Sequence, residues 1–137
     1  MLARNHQGGY TARVSRVVAV LGASCNRRKF GNKAVRAFHA CGFDVVPINL
    51  NENAIEGLRA YSSVLDVECP IDMATVYLEP SIGVIVLDEL AKKGVNEVWL
   101  NPGADDIEVV TRARALGLKP IVGCSIVGIG ESPSSYE

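Results

Sequence analysis

Seven residues crowded into one turn carry the clearest chemistry in this chain: Gly22, Ala23, Ser24, Asn26, Arg27, Arg28 and Lys29. They follow a continuous apolar run, Val17–Leu21, and precede a helical pattern that begins near Gly31 or Asn32. Small residues let a backbone come close to a ligand. Hydroxyl, amide and cationic groups donate to oxygen. A helix N-terminus adds free N–H groups and the positive end of its dipole. Together these features suit the holding of a phosphate or another anion. The strict dinucleotide fingerprint is absent, because Ser24 and Arg27 stand where its second and third glycines would fall.

The charge distribution points the same way. The net charge is −1, yet residues 1–43 hold eight Lys or Arg and no acid, while all 15 acids lie in residues 44–137. The first strand, its loop and its helix thus form a cationic unit in a near-neutral protein, which fits a small anionic ligand. Nucleic acid fits less well, since no second basic patch or aromatic platform follows. Four cysteines, at 25, 41, 69 and 124, have no CxxC spacing, and with His6 and His39 they make no metal signature. That cysteine usage favours a reducing, cytoplasmic setting. No apolar run reaches membrane-spanning length, and residues 1–15 lack the apolar segment of a signal peptide.

The elements that must position the loop alternate between strand and helix. Residues 17–21, 43–48, 72–78, 95–100 and 119–122 read as strands. Between the first two, Asn32 is placed to cap a helix running to about Cys41, with Gly42 ending it. His39 lies on that helix with no evident partner, as a surface residue. Pro80 is placed at the first position of a helix through Lys93 that Gly94 stops, and its wide apolar face makes a homodimer an expectation. Asp105 and Asp106 open a further helix, and Arg112 and Arg114 close it in agreement with the dipole. Residues 51–69 are the least regular, read as a short helix or as a turn and packed loop. Repeats of this kind imply a three-layer α/β Rossmann-like fold, a five-stranded parallel sheet with helices on both faces. The expected organisation is a flexible tail over 1–13, one domain over 14–130 and a second flexible tail over 131–137. All strand C-termini would meet at one edge, together with the loops 22–32, 47–50, 78–81 and 101–104.

At this point the order of motifs resembles a known family. GASCNRRKFGN, VVPIN, VYLEPS, VWLNPGA and PIVGCSIVG look like the small stand-alone CoA-binding Rossmann proteins, relatives of the CoA-binding domain of the succinyl-CoA synthetase α subunit. The likeness covers about residues 14–130. It implies coenzyme A as cofactor, with its phosphates over the loop after the first strand. By the resemblance, Gly22, Ala23, Ser24, Asn26, Arg27, Phe30, Gly31, Asn32 and Lys33 surround those phosphates, with Arg27 and Lys33 favoured over Arg28 and Lys29. Pro47 and Asn49 match the place where the adenosine packs. Leu78, Glu79 and Pro80 match the next wall, and Asn101 with Gly103 the turn after the fourth strand. Cys124 matches a cysteine common after the fifth strand. The chain departs from the family in having Cys25 and Arg27–Arg28–Lys29 where a proline-bearing segment is frequent, and Val127 and Gly128 where a glutamate is frequent.

The residues leave three functions open. One is a CoA or acyl-CoA binding protein without catalytic machinery of its own, since the synthetases place their histidine chemistry on a further domain. A small NADP-dependent reductase shares the phosphate logic, and Asn49 at the end of the second strand, where NAD-binding folds carry an acid, suits a phosphorylated ribose. The third is an interaction module with a vestigial pocket. Cys25, in a cationic loop before a helix, meets the conditions that lower a thiol's pKa.

Overall fold

The computed structural model describes residues 2–4, 10–12 and 15–137. Strand β3 (Val17–Leu21) is buried along its whole length. Its β-branched run has no polar face, so it can only lie in mid-sheet with helices on both sides. Val18 and Val20 pack against α1 (Phe30–Ala40), with Ala34, Val35 and Phe38. Ala19 and Leu21 point the other way, toward α2 (Pro80–Lys93) and α3 (Ile107–Ala115), which contribute Leu87, Leu90, Val109 and Ala113. This is the three-layer Rossmann-like arrangement expected from the strand and helix pattern.

The remaining sheet strands are β4 (Asp44–Ile48), β7 (Met73–Val76), β8 (Glu97–Leu100) and β9 (Lys119–Val122). All five run parallel in the order β4-β3-β7-β8-β9. Leu21 stands level with Ile48 on one side and Val76 on the other. Val76 stands level with Leu100, and Leu100 with Val122. The C-terminal ends therefore share one edge. The chain leaves β3 toward β4 and then crosses back to β7, so strand order reverses between β3 and β7. A crevice opens where such a reversal occurs.

β4 is an edge strand, which is why it tolerates Pro47. Its outer side is covered by Tyr61, whose N–H donates to the Pro47 carbonyl at 3.0 Å. Residues 51–69, read as a short helix or as a turn and packed loop, hold no α-helix but a hairpin with a two-residue turn and one 3-10 turn. The hairpin joins β5 (Ala54–Ile55) to β6 (Leu58–Arg59), and the turn spans Val64–Asp66.

One further expectation, the cap of the first helix, is corrected. The first helix starts at Phe30 with Lys29 as its N-cap, so Asn32 lies buried inside the first turn instead of capping it. A short helix, α4 (Ser125–Gly128), follows β9. Residues expected as a C-terminal tail form a 3-10 turn, Pro133–Tyr136, against α1, because Arg36 donates to the Tyr136 carbonyl and stacks over its ring. In the expected N-terminal tail, β1 (Leu2–Arg4) pairs antiparallel with β2 (Tyr10–Ala12), and the intervening residues lie outside the described ones.

α2 buries Gly83, Leu87 and Leu90 and leaves Ile82 and Ile85 exposed. Among the described residues no helix is long and apolar enough to cross a membrane.

Candidate functional site

The loop after β3 is held in place from both sides by glycines. Gly22 adopts φ +90°, and a Cβ there would meet the Tyr77 carbonyl oxygen at 2.8 Å. A Cβ on Gly31 would lie 2.0 Å from the Gly22 carbonyl oxygen. The helix thus begins against the end of the strand, with no room for a side chain between them. Gly31 does the close helix-to-strand packing that the dinucleotide fingerprint assigns to its third glycine. Between these glycines the loop folds on its own side chains. Ser24 Oγ accepts from the Asn26 N–H at 3.0 Å, and Asn26 Oδ1 from the Arg28 N–H at 3.0 Å.

The N-terminus of α1 opens into a cleft of about 570 Å³ at the sheet's C-terminal edge. Its N-cap, Lys29, makes no side-chain cap, and no acid stands in the first turn. The amides of Phe30 and Gly31 are among those an α-helix leaves without an internal acceptor, and both residues line the cleft. Lys29 lines it too. The opposite walls come from the loops after β7 and β8.

Beneath the cleft lies a buried polar network. Asn101, 1% exposed, donates through Nδ2 to Thr75 Oγ1 at 2.7 Å and to the Val76 carbonyl at 2.9 Å, and its Oδ1 accepts from the Ser125 N–H at 2.9 Å. Ser125 Oγ lies 2.7 Å from Thr75 Oγ1 and 3.1 Å from the Tyr77 hydroxyl. Burial pushes the Tyr77 hydroxyl up to about 12, against the opposing effect of its hydrogen bonds to Ser125 and Thr75. Tyr77 is therefore a neutral phenol at the base of the cleft.

Of the residues named from sequence, Gly22, Ala23, Ser24, Phe30, Gly31 and Asn49 line this cleft, as do Leu78, Glu79 and Gly103. Asn49 also ties the strand ends together, donating from Nδ2 to the Ala23 carbonyl at 2.9 Å. The others sit around the lining. Asn101 is in the network below and Pro47 is buried in β4. Pro80 opens α2, and Asn26 shapes the loop. Lys33 lies over the Phe30 ring at 5.0 Å. Arg27 pairs with Glu56 at 3.3 Å, and Asn32 donates to the Ser24 carbonyl and to Glu56. Lys29, ranked from sequence below Arg27 and Lys33, also lines the cleft, as do Tyr77, Pro102 and Ala104, which were not named as site residues. Their signal was position alone, since each is next to a named residue.

The Cys25 thiol is pushed up, opposite to the direction its basic sequence neighbours suggest. Desolvation raises its pKa first, and the Glu52 and Glu56 carboxylates raise it further. The sequence neighbours are basic, but the segment 52–56 brings two acids to it.

A glycine-clamped loop, an uncapped helix N-terminus and a cleft at the β3/β7 reversal are features that suit an anionic ligand, and they do not name it. A family model for a CoA binding domain matches residues 16–129. The chain belongs to that CoA-binding domain family. This CoA-binding domain is 28% identical over 125 residues to the α subunit of acetate–CoA ligase (ADP-forming) II of Pyrococcus furiosus, covering 83% of the chain and 27% of the relative. It is 37% identical over 78 residues to the acetate–CoA ligase (ADP-forming) of Methanocaldococcus jannaschii, covering 57% of the chain and 11% of the relative. It therefore spans about a quarter or less of the ligase chains it matches. Among solved structures it is similar to a conserved hypothetical protein of Pyrococcus furiosus (TM-score 0.75, 28% identity), covering 83% of this chain and 98% of that one. It is also similar to a dinucleotide-forming acetyl-coenzyme A synthetase of Ca. Korarchaeum cryptofilum (TM-score 0.68, 28% identity), covering 77% of this chain and 25% of that one.

Proposed function

We propose that this domain binds coenzyme A, or an acyl-CoA, with the pyrophosphate at the N-terminus of α1. The observation that carries this reading is the open helix end. An 11-residue helix presents its first amides to a cleft, with no side-chain cap and no acid in its first turn. Such an end favours a doubly charged phosphate group through both N–H donation and the helix dipole. Ser24 and Lys29 add a hydroxyl and an ammonium at the same place. The adenosine lies toward Asn49, whose neutral amide does not repel a phosphorylated ribose as an acid would. The pantetheine arm runs between the walls formed by Leu78–Glu79 and Gly103.

We read the domain as a binding module whose chemistry, where there is any, is supplied by another protein. Ser24 Oγ is engaged by the Asn26 N–H and has no base beside it among the described residues. Full-length ligases carry the corresponding region as a minor part of a longer chain.

A thermal-shift series with CoA, acetyl-CoA, dephospho-CoA, NADP and NAD tests the reading. A ligand that binds only the folded chain raises its midpoint. CoA and acetyl-CoA are expected to raise it most and dephospho-CoA less. A shift with NADP alone would replace this reading with that of a reductase.

A further inference from the structure

Glu56 sits where a glutamate has no local reason to be. It is the first central residue of the two-residue turn between β5 and β6, with φ +52°, and Gly57 follows at φ +77°. Two successive left-handed residues make the turn type that Asn-Gly or Gly-Gly normally occupies. Glu56 is the one non-glycine residue with positive φ among the described residues. An unfavourable backbone conformation persists where its surroundings hold it in place.

What holds it is the ligand loop. Glu56 Oε2 accepts from Asn32 Nδ2 at 3.0 Å, and Oε1 accepts from the Arg27 guanidinium at 3.3 Å. Asn32 is fully buried, and the same Nδ2 also donates to the Ser24 carbonyl at 2.8 Å. Arg36 completes the set, donating from Nε to Asn32 Oδ1 at 2.7 Å and from its terminal nitrogen to the Arg27 carbonyl at 3.1 Å. Two carbonyls of the loop, Ser24 and Arg27, are thereby held by donors on α1. The carboxylate fixes the amide and the guanidinium that frame them. The Asn32 hydrogen bond, then Arg27 and Arg36, hold the Glu56 carboxyl below its ordinary range, against the opposing effect of burial, so it is a charged acceptor at neutral pH.

We propose that Glu56 is a positioning residue that fixes the loop 22–32 from outside the cleft, through Asn32 and Arg27, and so sets the geometry of the anion-binding face. This rests on the CoA reading for its consequence, but the positioning itself is readable without any ligand. It also gives Arg27 a role distinct from phosphate contact.

The test compares wild type with Glu56→Gly, which suits the left-handed turn but removes the carboxylate, and Glu56→Gln, which keeps an acceptor for Asn32. Glu56→Asn, also suited to the turn, stands in if the glycine variant folds poorly. Peptide-resolved amide exchange in the ligand-free chain is expected to rise about tenfold over residues 24–33 in the glycine variant, the loss of one charge-assisted tether. The glutamine variant should recover much of that protection. The dissociation constant for CoA should rise in parallel, while the denaturant midpoint changes little, because relief of the left-handed backbone offsets the lost tether. Unchanged exchange over 24–33 would overturn the proposal whatever CoA does. Raised exchange with an unchanged CoA affinity would overturn the link from loop to ligand. If wild type does not take up CoA, the CoA reading fails and the exchange result alone decides whether Glu56 holds the loop.

Discussion

Gly31 approaches Gly22 so closely that a Cβ on Gly31 would stand 2.0 Å from the Gly22 carbonyl oxygen. The obstacle is backbone, so no rotamer change can relieve it. Gly31→Ala must push the start of α1 away from the end of β3. We expect a loss of about 3 kcal/mol of stability, the upper part of the range for forced overpacking. Urea unfolding of both chains measures it. A change under about 0.5 kcal/mol, the size of an ordinary surface substitution, would contradict the packing described.

Asn101 gives a second stability test. Its amide serves Thr75, the Val76 carbonyl and the Ser125 N–H, all beneath the cleft. Asn101→Leu keeps the branched shape and strands those partners. The expected cost is about 3 kcal/mol, because buried polar groups lose their bonds and gain no water. An unfolding curve superimposable on wild type would show that the network contributes nothing.

These two positions also show what could be read from the amino acids. The strand run Val17–Leu21 and the glycine after it place the loop, because a run with no polar face has only one environment open to it. Asn101 was legible as part of the β8 exit loop and, by resemblance, as a ligand residue. Its burial under the cleft was not legible, since that depends on Ser125 arriving at the start of α4 some two dozen residues later. Arg27 shows the same gap. Its place in a basic loop suggested phosphate, but the hairpin residue Glu56 reaches it from a stretch with no periodic signal. The cationic character of residues 1–43 is likewise partly offset in three dimensions, as Arg16 pairs with Glu97 and Arg27 with Glu56. Local pattern sets strands and helix ends, whereas side-chain partners across loops are set by the tertiary fold.

The pH dependence of stability should carry the mark of Glu56. Its carboxyl titrates below the ordinary 4.5 in the folded chain, through Asn32 and then Arg27 and Arg36. A lowered folded value means the charged form stabilises the fold. That contribution is complete above the unfolded value and is lost as pH falls through the folded value. Wild type should therefore lose stability more steeply below pH 4.5 than Glu56→Gln. Thermal midpoints taken from pH 7 to pH 3 compare the two slopes, and parallel curves would rule out the contribution.

Two neighbouring cations should behave differently toward CoA. Lys29 lines the cleft, whereas Arg27 is committed to Glu56 at 3.3 Å. Lys29→Ala is expected to weaken CoA about tenfold, the loss of one charged hydrogen bond. Arg27→Ala should weaken it less and act through the loop. Titration calorimetry on the two variants separates them, and the reverse order would place the phosphates on the Arg27 side.

The most direct test of the central claim is an amide-resolved NMR titration of the ¹⁵N-labelled chain with CoA. If CoA binds with its pyrophosphate at the start of α1, the amides of Ser24, Phe30, Gly31 and Gly103 move first and saturate together. Saturation at a different place, such as the exposed groove along α3 between Ile107 and Ala115, or no movement at all, would contradict it.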